Sequence, residues 1–251
     1  MLYLPPDADF SFEKICLLNG FETETHFVTT EDGYINTLHR VYKDSPVTES
    51  KAEDGTVVSK NKPKVYMQHG LIDSSDSYII NTKENAQAFV AAEAGYDVWL
   101  GNNRGNKYSK QHLWLSTSNY KFWEHSFPEM AKYDMPAFFT YIRNHTEMSK
   151  DDKFTYIGHS QGTTQMLYKM AKEPEFIRDN VNLFIGLAPF MIPHSFFSVK
   201  RFSNFIEFIT PLLYYFNVYE FFSTDDTRQF FFYYCGYFTT SCQYWQHYIS
   251  T

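Results

Sequence analysis

Gly158-His159-Ser160-Gln161-Gly162 follows the strand-like run Lys153-Phe154-Thr155-Tyr156-Ile157 and precedes a segment with Met166, Leu167 and Met170 at helical spacing. Gly-x-Ser-x-Gly between a strand and a helix makes the backbone turn so sharply that the serine hydroxyl stands at the top of a parallel sheet. Strand and helix then pass too closely for a Cβ at either flanking position, which accounts for Gly158 and Gly162. This one turn restricts the chain to folds that place a helix directly behind a buried parallel strand.

The surrounding pattern agrees. Thr25 to Thr29 and Tyr34 to Tyr42 read as two strands joined at Asp32-Gly33, and Asp44 to Pro63 reads as an exposed polar loop insertion. From Lys64 onward strand and helix alternate. Val65 to Gln68 is a strand, Glu84 to Ala94 a helix ended by Gly95, and Tyr96 to Leu100 a strand. Tyr133 to His145 is a helix with Pro136 in its first turn, the serine turn follows, and Leu183 to Ala188 is a further strand. Alternation of this kind predicts an α/β fold, a mostly parallel sheet with helices on both faces. Residues 196 to 248 differ, being aromatic at about two positions in five without helical or alternating period. They are expected to form part of a cap that offers apolar surface to a lipid-like substrate. The expected division is therefore 1–189 as core and 190–251 as partial cap.

Bulk properties exclude several classes. The 251 residues carry a formal net charge of −7 and no long basic run, so a nucleic-acid partner is not expected. The nine histidines form no local metal-ligand spacing, and no phosphate-binding glycine loop is present. No metal or cofactor is predicted. Phe205 to Phe222 is broken by Glu207, Pro211, Asn217 and Glu220, against a transmembrane helix. No signal peptide is visible at the N-terminus. Asn144-His145-Thr146 is a glycosylation sequon, and Cys235 with Cys242 is spaced for either a small disulfide loop or two thiols.

Serine chemistry near neutral pH needs a histidine to take the hydroxyl proton, a carboxylate to orient that histidine, and donors aimed at the developing oxyanion. The backbone N–H of Gln161 is one such donor, at a helix N-terminus. The loop Gln68-His69-Gly70-Leu71-Ile72 offers the second through Leu71, with Gly70 turning the backbone inward. His69 precedes the serine and reads as a structural hydrogen-bonding residue.

Taken together, several stretches resemble the acid lipase family of α/β-hydrolases, which includes the gastric and lysosomal acid lipases. These are Val28 to Ile35, Gln68 to Leu71, Ala94 to Asn106, Phe122-Trp123, Ser126-Phe127, Glu129 to Asp134 with Pro136-Ala137, Gly158 to Thr164, and Leu187-Ala188-Pro189. The likeness covers roughly residues 10 to 190. It implies an α/β-hydrolase core, Ser160 as nucleophile, Leu71 and Gln161 as the oxyanion hole, a helical cap beginning near residue 190, and secretory or lysosomal residence. It further implies a lipid ester substrate (triacylglycerol or steryl ester) met at a lipid–water interface. The family also has a cap disulfide near the position of Cys235 and Cys242.

One departure stands out. In this fold the triad runs Ser, then Asp or Glu, then His, and the family places the last two after the cap. Thr251 falls inside the expected cap, so the fold is expected to be incomplete at the C-terminus and the triad Asp and His to be missing from this chain. Asp179, Asp225, Asp226, His194 and His247 follow Ser160, but Asp225 or Asp226 with His247 lies in the aromatic segment. Ending there would leave esterase activity near zero and a sheet edge uncovered. The alternative reading is an inactive relative that binds lipid or a partner through its aromatic segment.

Overall fold

The computed structural model describes residues 10–44, 47–51 and 57–191, with positions 207, 210–213, 215–216 and 219. The chain separates into two compact units, Phe10–Phe202 and a second comprising Ser203–Thr251 with Met1–Asp9. In the second unit the described positions 210–213 are helical. Most of the predicted cap lies outside the described residues, as do Cys235, Cys242, His194, Asp225, Asp226 and His247.

The larger unit is built on a seven-stranded sheet. Its strands are β1 (Glu22–Thr29), β2 (Tyr34–Tyr42), β5 (Lys64–Gln68), β6 (Asp97–Gly101), β7 (Gln111–His112), β8 (Phe154–His159) and β9 (Val181–Leu187). The order is β1-β2-β6-β5-β8-β9, with β7 paired to β2. β6, β5, β8 and β9 run parallel, whereas β1, β2 and β7 pair antiparallel. Leu183 and Ile185 of β9 are exposed.

Alternation along the strands sends side chains to two separate cores, as a period of two requires. Val65 and Met67 of β5 and Val98 and Leu100 of β6 pack with Phe12 and Cys16 of α1 (Phe12–Leu18) and Phe89 of α2 (Gln87–Glu93). Tyr66 and Trp99, one residue out of phase, pack on the opposite face. There they meet Phe138, Phe139 and Ile142 of α4 (Met135–His145), Met166 of α5 (Gln161–Lys172) and Ile177 of α6 (Pro174–Asn180). Helices therefore pack on both faces of the sheet, as predicted, while β9 keeps Leu183 and Ile185 exposed.

Three local expectations are corrected. The span 44–63 holds a hairpin, β3 (Val47–Lys51) paired antiparallel with β4 (Val57–Asn61), where an irregular loop was expected. Its β-branched residues, Val47, Thr48, Val57 and Val58, pair within the insertion itself. The helix expected to begin at Tyr133 is preceded by the turn α3 (Phe127–Glu129), capped reciprocally by Ser126 and Glu129. A π-helical turn over Met130–Asp134 joins α3 to α4. Pro136 has no N–H to donate and would crowd the carbonyl four residues earlier, and the widened turn lies just where that conflict falls. The helix expected from Glu84 starts at Gln87, and Gly95 follows its end with φ of +90°.

Charged groups inside the fold are paired. Arg104 binds Asp134 through Nε and Nη2 (3.0 and 2.7 Å) and Asp32 through Nη1 and Nη2 (2.6 and 2.9 Å), above the ring of Tyr34 at 4.0 Å. Burial alone would raise the Asp32 carboxyl, but hydrogen bonds from Arg104 and Thr30 hold it below its usual range. Arg40, Lys64 and Asp97 form a second buried group. Cys16 is a buried free thiol pushed up to about 12, chiefly by burial.

Candidate active site

The carboxyl ends of β5, β6 and β8 form one rim of the sheet, where α/β folds place their ligands. At the end of β8 the chain enters Ser160 with φ of 47° and ψ of −114°, a left-handed conformation rare for any residue but glycine. Backbone held this way costs about 1–3 kcal/mol and persists only where its surroundings over-determine it. Those surroundings are visible. Ser160 N–H donates to Leu187 O of β9 (3.0 Å), and Ser160 O accepts from Thr163 N (2.9 Å) and Thr163 Oγ1 (2.6 Å).

The two flanking glycines are fixed by space. A Cβ on Gly162 would lie 2.3 Å from Gln68 O and 3.0 Å from His69 O, both rigid backbone at the end of β5. A Cβ on Gly158 would lie 2.9 Å from the carbonyl carbon of Gly162. Strand and helix therefore cross at the separation anticipated from Gly-x-Ser-x-Gly.

Each predicted site residue lies on this rim. Gln161 is the first residue of α5, so its N–H has no intrahelical acceptor, and the positive end of the helix dipole coincides with it. Gly70 packs directly on the serine, since a Cβ there would be 3.2 Å from Ser160 Cβ. Leu71, the next residue, makes no backbone hydrogen bond through its N–H among the described residues. Ser160 itself is half-buried.

The loop before Leu71 is held by His69. Its Nδ1 bonds Gly70 O (2.8 Å), while Nε2 accepts from Asn103 N (3.1 Å) and Asn106 Nδ2 (3.2 Å). Both ring nitrogens are thus engaged, and burial lowers its pKa. Asn106 Nδ2 also reaches Asn102 Oδ1 (2.8 Å), tying the loop after β6 to the same point. His69 is a brace, as expected. His159 Nδ1 lies 3.9 Å from Asp73 Oδ2. Among the described residues no histidine hydrogen-bonds the Ser160 hydroxyl, and Asp179 sits exposed on α6 beside Arg178.

Sequence reasoning missed the tether after β9. Phe190 N donates to Thr163 Oγ1 (3.0 Å) and Phe190 O accepts from Thr164 Oγ1 (2.5 Å). This pins the segment to the first turn of α5 and leaves Phe190 and Met191 exposed beside it. Leu71 (65%) and Ile72 (87%) are also open to solvent. Apolar side chains so placed give the serine an apolar margin.

Comparison with known proteins agrees with this architecture. The family described as "alpha/beta hydrolase fold" matches residues 63–244, and the "partial alpha/beta-hydrolase lipase region" matches residues 12–82. A probable lipase of Schizosaccharomyces pombe is 41% identical over 72% of this chain and 37% of its own length. Gastric triacylglycerol lipase of Mus musculus is 38% identical over 73% of this chain and 44% of its own. The lysosomal acid lipase/cholesteryl ester hydrolase of Homo sapiens is 37% identical over 73% and 43%. The chain thus spans about two fifths of the length of these relatives. With strand order, serine turn and sequence likeness in agreement, the chain belongs to the α/β-hydrolase family, and its N-terminal part to the lipase region of that family.

Proposed function

We propose that this protein is a serine-dependent carboxylic ester hydrolase acting on lipid esters at a lipid–water interface, with triacylglycerols or steryl esters as substrates. The observation that carries this reading is the strained Ser160, wedged between Gly70 and the first amide of α5. In the reaction Ser160 Oγ attacks the ester carbonyl and its proton passes to a histidine base. The carbonyl oxygen, now negative, accepts hydrogen bonds from the N–H groups of Leu71 and Gln161. Collapse expels the alcohol, which takes the proton, and leaves an acyl group on Ser160. Water then repeats the attack and frees the acid.

The base and its carboxylate are assigned to sequence other than the described residues. The exposed Leu71, Ile72, Phe190 and Met191 support an apolar substrate. Likeness to a gastric triacylglycerol lipase and to a lysosomal acid lipase/cholesteryl ester hydrolase supports lipid esters in particular. Residues from about 190 are assigned to a cap region, by likeness to the lipase relatives. Secretory or lysosomal residence rests on the same relatives and on Asn144, exposed in its sequon at the end of α4.

The test is hydrolysis of trioleoylglycerol, cholesteryl oleate and nitrophenyl esters of graded chain length by protein expressed from its full reading frame. Long-chain esters are expected to be cleaved, and Ser160→Ala to lower turnover by about 10⁴- to 10⁶-fold, as nucleophile removal does in other serine hydrolases. Turnover unchanged in a folded Ser160→Ala protein would refute the assignment.

A further inference from the structure

A second constellation lies on a different face of the sheet. Glu24 and His26, two residues apart on β1, project to the same side, where His145 ends α4. Glu24 Oε2 is 3.0 Å from His26 Nε2 and 3.6 Å from His145 Nε2, and the three ligand atoms lie within 4.8 Å of one another. We propose that Glu24, His26 and His145 form a binding site for a zinc-like divalent transition-metal ion that clips the edge strand β1 to helix α4.

The donor set and the spacing support this. Two imidazoles and one carboxylate suit zinc, whose bonds of about 2.0–2.2 Å place tetrahedral ligands roughly 3.3 Å apart. The carboxylate already stands near that distance from both rings. His145 is the member with the longest gap to close, and it is exposed, at the last residue of its helix. The orienting contacts are also in place. Tyr141 Oη lies 3.0 Å from His26 Nδ1, so the ring can turn Nε2 to a metal while Nδ1–H donates to the phenol oxygen. The ring of Trp99 stacks on His26 at 5.2 Å, and that of Tyr141 on His145 at 5.6 Å, which holds both planes.

Glu24 has another duty that the site must accommodate. Arg40 Nη1 reaches Oε1 (3.3 Å) and Oε2 (3.0 Å), and Tyr42 Oη reaches Oε1 (3.2 Å). With Oε2 given to the ion, Oε1 keeps Tyr42 and Arg40. Arg40 also retains Asp97 through Nε and Nη2 at 2.8 and 2.9 Å. A water molecule would complete a tetrahedral zinc site of three protein ligands. Ligands from β1 and α4 are more than a hundred residues apart in sequence, so the ion closes a long loop and stabilises the fold on binding.

The test uses the full chain, stripped with chelator, and titrates zinc or cobalt(II) alone by calorimetry, visible absorption and thermal unfolding. Expected are one site lost in the variants, a tetrahedral cobalt spectrum and a rise in Tm, with no rise from magnesium. Since disturbing even an outer-shell partner weakens metal binding about 10- to 100-fold, His145→Ala and Glu24→Gln should each weaken it on the order of 100-fold or more. His145→Ala removes an exposed side chain, so its circular dichroism should match the parent. Wild-type protein that binds no zinc would overturn the proposal, as would affinity unchanged in both variants.

Discussion

Gly162→Ala is expected to lower stability by about 3 kcal/mol, the upper end of what overpacking by one methyl group costs. The added carbon would sit 2.3 Å from the carbonyl oxygen of Gln68 and 3.0 Å from that of His69. Neither atom can rotate away, because both belong to the backbone at the end of β5, which is hydrogen-bonded to β6 and β8. Relief requires α5 to move off the sheet, and α5 carries Ser160 at its start. The shift would also strain the bond from Tyr156 Oη to Gly162 O (2.8 Å), inside the core. Gly186→Ala is the matched control, since its Cβ would meet Phe184 at an ordinary 3.4 Å. Urea midpoints should separate the two variants clearly, with Gly186→Ala within about 1 kcal/mol of the parent. Equal midpoints would mean that the strand–helix crossing is looser than these distances.

Arg104→Met is expected to lower stability by about 3–5 kcal/mol, the loss seen when one partner of a buried ion pair is removed. Arg104 and Asp134 side chains are each 1% exposed, so the carboxylate would be left in the core without its counter-charge. The pair joins three distant elements, namely the β1–β2 turn through Asp32, the loop after β6, and the π-helical turn before α4. Its effect reaches the serine, because Asn103 and Asn106 of the same loop hold His69. Replacing Asp134 by Leu in the same protein should recover most of the loss, since the penalty lies in the unpaired charge. A double variant no more stable than Arg104→Met would show that packing, and not charge, dominates there. Thermal unfolding of the three proteins at neutral pH decides between these outcomes.

Local rules of geometry explain which parts of this fold could be read in the sequence. Gly158 and Gly162 announced the crossing because the reason for each glycine lies within a few residues of it. The runs Val65 to Gln68 and Tyr96 to Leu100 announced buried strands in the same way. Helix α1 gave no periodic signal because seven residues make barely two turns. It is held by Ser11 at its cap and by burial of Phe12 and Cys16 against distant strands. The hairpin at 47–61 was hidden by its polar composition. Arg104 pairs with Asp134 thirty residues on, and no spacing rule links them. The same holds for Glu24, His26 and His145, whose ligand geometry arises only when β1 meets α4. Histidine spacing along the chain therefore suggested no metal site, because local motifs cannot register a site assembled across the sheet.

The most direct measurement is the site of covalent capture by a fluorophosphonate, applied to the protein expressed from its full reading frame and mapped by peptide mass spectrometry. One adduct on the peptide carrying Ser160, absent from a folded Ser160→Ala protein, is the predicted result. An adduct on a different residue, or none from a preparation that cleaves lipid esters, would contradict the assignment of Ser160 as the nucleophile.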